Sequence, residues 1–140
     1  MSNPGPASTT TIHPSNVASN QAIRLLASYQ GVNVNQTGDT VLPVGNTSNY
    51  SVSNVIFTNA STSLTTALAG VFTAPAAGGT AIVANAALSA LTGSTVVSQR
   101  TVAATATQAG QNLYVNVGTA QGAAATMDVF IYGYDLSFLS

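Results

Sequence analysis

An all-β fold, an antiparallel β-sandwich of jelly-roll-like topology, is what this 140-residue sequence predicts, and three observations carry the expectation. Short runs rich in β-branched and aromatic residues recur along the chain, alternate apolar with polar positions, and are bounded by Gly, Pro, Asn, Asp or Ser. About seven such runs at near-regular spacing are what two packed antiparallel sheets require. The composition, 46% hydrophobic with a formal net charge of −1, is the reverse of the low-hydrophobicity, high-charge signature of disorder. No fixed repeat period appears, which disfavours a solenoid or propeller.

The length suits one domain plus an arm. Residues 1–21 hold Pro4, Pro6 and Pro14 in a Ser/Thr/Asn background with few bulky apolar groups, and are read as an extended N-terminal arm. Residues 22–140 are read as a single β-sandwich domain. Ile23 to Tyr29 is a short apolar run bounded by Gly31, taken as a strand. Thr40 to Val44 follows the turn-like Asn35 to Asp39, and Pro43 marks it as an edge strand or a strand end. Tyr50 to Asn59 is a strand with Tyr50, Val52 and Ile56 on one face and Val55 and Phe57 on the other. Leu64 to Thr73 repeats the period of two and reads as its hairpin partner across Ala60 to Ser63.

Pro75-Ala76-Ala77-Gly78-Gly79 ends that strand. The Ala-rich block after it places Val83, Ala87, Leu88 and Leu91 at helical spacing, so a short helix around residues 83–91, stopped by Gly93, competes with a strand over Ala81 to Val83. Thr95 to Ala106 reads as one strand. Two clear strands close the chain: Leu113, Val115 and Val117 alternate with Tyr114 and Asn116, and Met127, Val129 and Ile131 oppose Asp128, Phe130, Tyr132 and Tyr134.

Only 4% of residues are charged, against about 25% in a typical globular chain, and the ionic inventory is Arg24, Asp39, Arg100, Asp128 and Asp135. Two arginines cannot neutralise a string of phosphates, so direct nucleic-acid binding is not expected. One histidine, His13 in the arm, and three scattered aspartates show no ligand spacing, so neither a metal nor another cofactor is expected. A serine nucleophile would need a base and an orienting group, no Gly-x-Ser-x-Gly elbow occurs, and Gly78-Gly79-Thr80 lacks the lysine of a phosphate loop. Catalytic residues are therefore expected to be absent and the chain to be no enzyme. The opening residues have neither a basic nor an apolar signal region, and no apolar stretch of about 18 residues occurs, so synthesis inside a cell and no membrane span are expected. Four Asn-x-Ser/Thr sequons, at Asn35, Asn46, Asn49 and Asn59, are what chance supplies in so Asn-, Ser- and Thr-rich a chain.

A nearly uncharged surface promotes association, and uncharged edge strands ask for covering neighbours, so the chain is read as living in an assembly. Tyr114, Asp128, Phe130, Tyr132 and Tyr134 are the candidate interface. Asp128 is assigned to a solvated or interface face, with Arg100 as a candidate partner. The aromatic stripe is read as core and subunit contact ahead of a sugar platform, because no Trp and few acidic groups accompany it.

The stretches Asn59-Ala-Ser-Thr-Ser-Leu, Ala69-Gly-Val-Phe-Thr-Ala, Gly78-Gly-Thr-Ala-Ile-Val, Leu113-Tyr-Val-Asn-Val-Gly-Thr and Ala125-Thr-Met-Asp-Val-Phe-Ile-Tyr-Gly resemble small bacteriophage virion proteins of the capsid decoration or cement type. The resemblance implies a β-sandwich that sits as a homo-oligomer, a trimer by preference, on the major capsid protein and bridges shell subunits. It implies location on the capsid surface of a virion assembled in the host cytoplasm, and no catalytic residues. Near-absence of charge departs from many such proteins and leaves head, tail and fibre open. The alternative expectation is a receptor- or glycan-binding module of a phage tail or head fibre.

Overall fold

The computed structural model describes residues 23–137, and the arm expected over residues 1–21 lies outside them. Eight strands follow one another: β1 (Ile23–Asn33), β2 (Gly38–Pro43), β3 (Tyr50–Thr58), β4 (Leu68–Ala74), β5 (Gly78–Ala87), β6 (Val97–Arg100), β7 (Asn112–Thr119) and β8 (Thr126–Asp135). They form two antiparallel four-stranded sheets, ordered β1-β8-β3-β6 and β2-β7-β4-β5. Only β4 and β5 are consecutive in one sheet, so every other connection passes between sheets. One hydrophobic core draws on both: Leu26, Val32, Val52, Val55, Phe57, Met127, Val129 and Ile131 face Leu42, Ala69, Val71, Ile82, Leu113, Val115 and Val117. The architecture is all-β and sandwich-like, as expected.

Alternation works as read in β7 and β8, whose Leu113, Val115, Val117, Met127, Val129 and Ile131 are all buried. In β3 it breaks. A register shift between Val52 and Asn54, a β-bulge, adds a residue and reverses the parity of the rest of the strand. Tyr50 and Val52 before the bulge and Val55 and Phe57 after it therefore all enter the core, while Ile56 turns to the outer face. At the bulge β8 packs tightly against β3. A Cβ on Gly133 would collide with the Ser51 carbonyl oxygen, so only glycine fits there.

Three further expectations are corrected. Leu64 to Thr73 is not the hairpin partner of β3: β4 pairs with β5 and β7 in the second sheet, and β3 pairs with β6 and β8 in the first. Local reading favours the next strand as partner, but here the chain crosses the sandwich over residues 59–67. The helix around residues 83–91 is not formed. Its first half is β5, and Ile82 and Val83 are both buried where β5 shifts register against β4. Leu88 and Leu91 follow the strand, both buried, joined by a single turn in which Leu91 N donates to Leu88 O and tied to the 59–67 crossing by Leu64 N→Leu91 O and Leu88 N→Ala67 O. Thr95 to Ala106 is not one strand, since only Val97–Arg100 pairs with β3 and the chain then leaves that sheet. Part of the uncharged edge is covered by the chain itself, beside any covering neighbour. Ala103 N donates to Ile82 O along β5, β2 carries Pro43 on its edge, β6 is short, and β1 is broken by two register shifts.

The hairpin of β4 and β5 turns on Pro75-Ala76-Ala77-Gly78. Gly78 N donates to Pro75 O at 3.1 Å, and Ala76 and Ala77 both hold positive φ, 57° and 55°, as a type I′ turn demands. Alanine is poorly suited to that region. The Asp39 carboxylate steadies the turn by accepting from Ala76 N at 2.7 Å.

Candidate functional site on the outer face of the first sheet

The five charged side chains decide what the surface offers. Arg24 donates to Gly45 O at 2.8 Å and Asn46 O at 3.1 Å and approaches Asp135 Oδ2 at 3.7 Å, closing one end of the sandwich. Asp135 Oδ1 accepts from Thr47 Oγ1 at 2.7 Å and from both Oγ and N of Ser137. The Thr47 hydroxyl above all, with Ser137 and Arg24 adding to it against the opposing effect of burial, holds the Asp135 carboxyl below its ordinary range. Arg100 turns inward from β6, donates to Ala87 O on β5 at 3.0 Å and lies over the Phe57 ring, 5.6 Å from its centroid. Burial lowers its pKa from the usual arginine value.

Asp128 accepts from Gly31 N at 2.9 Å and Asn59 Nδ2 at 3.0 Å, joining the irregular end of β1 to the end of β3. The pairing of Asp128 with Arg100 considered from sequence is thus corrected: the arginine is engaged at the opposite edge of that sheet. Asp39 accepts from Ala76 N and from Asn116 Nδ2. All five charges hold loops, edges and ends of this chain. A protein with so few charges has used them as internal fasteners.

What remains on the outer face of the first sheet is neutral. Phe130, Tyr132 and Tyr134 alternate outward along β8, while Ile23 and Leu25 of β1 stand opposite Tyr134 and Tyr132 and are 46% and 41% exposed. Ile56 of β3 stands opposite Phe130. Ile23, Leu25 and Ile56 were not singled out from sequence. In an apolar run such as Ile23 to Ala27 nothing local says which residues face out, and Ile56 depends on the bulge.

The sequence candidates are not all brought together. Phe130, Tyr132 and Tyr134 form one stripe with Asp128 at its end, but Tyr114 lies on β7 in the other sheet, opposite Val41 and Phe72. That second outer face carries a polar ladder: Asp39 Oδ1 fixes the Asn116 amide, whose Oδ1 accepts from Asn85 Nδ2 at 3.0 Å. Asn85 Oδ1 is then left buried with no hydrogen-bond partner among the described residues.

Beside the apolar stripe the first sheet opens. β6 pairs with β3 only over Val55–Thr58, and the next contact of that edge is the isolated bridge from Tyr50 to Gln108. Between them the chain departs to cover β5, leaving a cleft of about 440 Å³ lined by Ser53, Asn54, Gln99, Arg100, Thr101, Val102 and Thr105. A smaller hollow of about 210 Å³ lies along Asn33 and residues 36–40 at the β1–β2 turn.

Among the described residues no group of three or more His, Cys, Asp or Glu side chains gathers into a metal site, and no helix is long and apolar enough to cross a membrane. Compared with protein-family models, with curated proteins and with solved structures, the chain matches none.

Proposed function

We propose that this chain is a non-enzymatic structural subunit of a bacteriophage particle, which decorates or cements the capsid by bridging neighbouring copies of the major capsid protein. The observation that carries the reading is the fate of the charges. Every charged side chain serves an internal contact, and the outer face of β1 and β8 is left as an uncharged stripe of Ile23, Leu25, Phe130, Tyr132 and Tyr134. Such a face suits permanent burial against a neighbour, because interface centres are depleted in charge and enriched in aromatic residues. A second copy completing a trimer is the occupant this reading favours. Weak contacts repeated around a shell then add up to firm attachment.

The strand orders support a jelly-roll reading of the sandwich. In an eight-stranded jelly roll the sheets run β1-β8-β3-β6 and β2-β7-β4-β5, and viral capsid and lectin domains use that architecture. On this reading the protein works on the capsid surface of a virion assembled in the host cytoplasm, without nucleic acid, membrane or cofactor.

The test is cosedimentation with shells assembled from the capsid protein of the same virus. Saturable binding by the full chain, reduced at least tenfold by Leu25→Asp in a variant that still melts cooperatively, is the expected result. Failure of the full chain to bind at micromolar concentration overturns the proposal.

A further inference from the structure

We infer that Val96 and Val97, where the chain enters β6, are the second half of the contact between copies: this valine knob of one subunit seats on the Ile23, Leu25 and Tyr134 end of the stripe of the next. The inference rests on the trimer reading of the proposed function and supplies the surface which that reading lacks. A surface that meets its own counterpart across a two-fold axis builds a pair and stops there, whereas a three-fold ring joins two unlike surfaces head to tail. Stripe against stripe therefore closes no trimer, and each copy needs a second patch.

Among the described residues, the large apolar side chains left exposed outside the stripe are Tyr29, Val41, Val96 and Val97, and of these only the last two adjoin each other. At 57% and 51% exposure Val96 and Val97 are also the most open of all, ahead of Ile23 at 46%. Val97 stands opposite Thr58, which stands opposite Asp128, so the pair sits on the sheet that carries the stripe, at the edge away from β1 and the end away from Tyr134. Strand spacing and rise put the two patches roughly 25 Å apart, at diagonal corners, so two different neighbours can occupy them at once, as a ring requires. The knob is held in shape before contact. Thr92 Oγ1 accepts from Ser94 N and Thr95 N, Thr92 N donates to Thr95 O, and Val96 O accepts from Asn59 N and Thr58 Oγ1. Stiff β-branched side chains on a backbone so fixed lose little freedom on binding. Residues 92–97 carry no charge, so the knob matches the neutral stripe of a second copy, as the charge-depleted centre of an interface asks.

The experiment is light scattering across a concentration series on the full chain and on three variants, Leu25→Lys, Val97→Asp and the two combined. Both positions are exposed, so each variant should still melt cooperatively near the native midpoint. In a head-to-tail ring residue 25 of one copy meets residue 97 of the next. Each single substitution then leaves an unpaired charge at every junction and should raise the concentration of half-assembly about tenfold or more. The combined variant sets Lys against Asp at every junction and should recover about fivefold or more of that loss, a coupling that two unconnected surfaces would not show. A trimer indifferent to Val97→Asp, or a combined variant no better than the weaker single one, overturns the inference, while dissociation by Leu25→Lys still upholds the trimer reading beneath it. A native chain that stays monomeric at every concentration overturns that reading, and the inference with it.

Discussion

Ile131 and Ile56 lie on paired strands one register step apart, yet the bulge at Ser53 sends them to opposite faces. Ile131 is fully buried between the sheets and Ile56 is half-buried outside. Ile131→Ala deletes three buried carbons, which at about 0.8 kcal/mol each is about 2.4 kcal/mol of transfer energy. The cavity left between rigid sheets raises the cost to about 3–4 kcal/mol. Ile56→Ala loses only the part of that surface which is covered, about 1 kcal/mol. In urea titrations followed by circular dichroism the first substitution should lower the midpoint roughly three times as far as the second, at unchanged slope. Regular alternation from Tyr50 onward would instead place Ile56 inside with Tyr50 and Val52. Equal costs for the two substitutions would refute the bulge and with it the assignment of the outer face.

Acid should weaken the protein through Asp135. Its folded-state pKa is depressed, so its contribution is present above the unfolded carboxyl value and is lost as pH falls through the folded one; Asp135→Asn should flatten that part of the stability-against-pH curve. At the other extreme the buried Tyr50 hydroxyl, which donates to Gly110 O at 2.7 Å, is pushed up to about 12 by burial. Stability should fall as pH rises from about 10, where the unfolded tyrosine ionises, towards 12, and Tyr50→Phe should remove the decline while costing about 1–3 kcal/mol at neutral pH. The Ala76-Ala77 turn should gain about 1 kcal/mol from Ala76→Asn with Ala77→Gly, read as a higher melting temperature. Gly133→Ala should cost several kcal/mol, about 3 or more, because the new methyl meets the Ser51 carbonyl and Leu26 on a strand that has no room to move; a cooperative melt near the wild-type midpoint would contradict that packing.

The sandwich was legible where one residue in two must be apolar. β7 and β8 read correctly residue by residue, and Pro43 marked β2 as an edge. What could not be read were the consequences of long-range pairing. The partner of β4 is chosen by a crossing between sheets, the Ala-rich block is held extended by β4, and the parity of β3 changes at a bulge that leaves no mark in an Asn/Ser-rich stretch. The candidate face was half legible for the same reason. Phe130, Tyr132 and Tyr134 stand out on one strand, but Tyr114 belongs to the other sheet, and Ile23 and Leu25 join the stripe only once β1 is seen beside β8. The scarcity of charge was plain in composition. That each charge is engaged internally needs the fold, because partners such as Asp128 and Gly31 or Asp39 and Ala76 are far apart in sequence.

The most direct test of the central claim, that the neutral face of β1 and β8 is a contact surface, is the absolute mass in solution of the full chain and of an Ile23→Lys, Leu25→Lys double variant, measured by light scattering across a concentration series. The account predicts a closed oligomer, a trimer, for the native chain and a folded monomer for the variant, since two unpaired cations in a buried neutral face oppose association. A native chain that stays monomeric at every concentration, or a variant that assembles equally well, would contradict it.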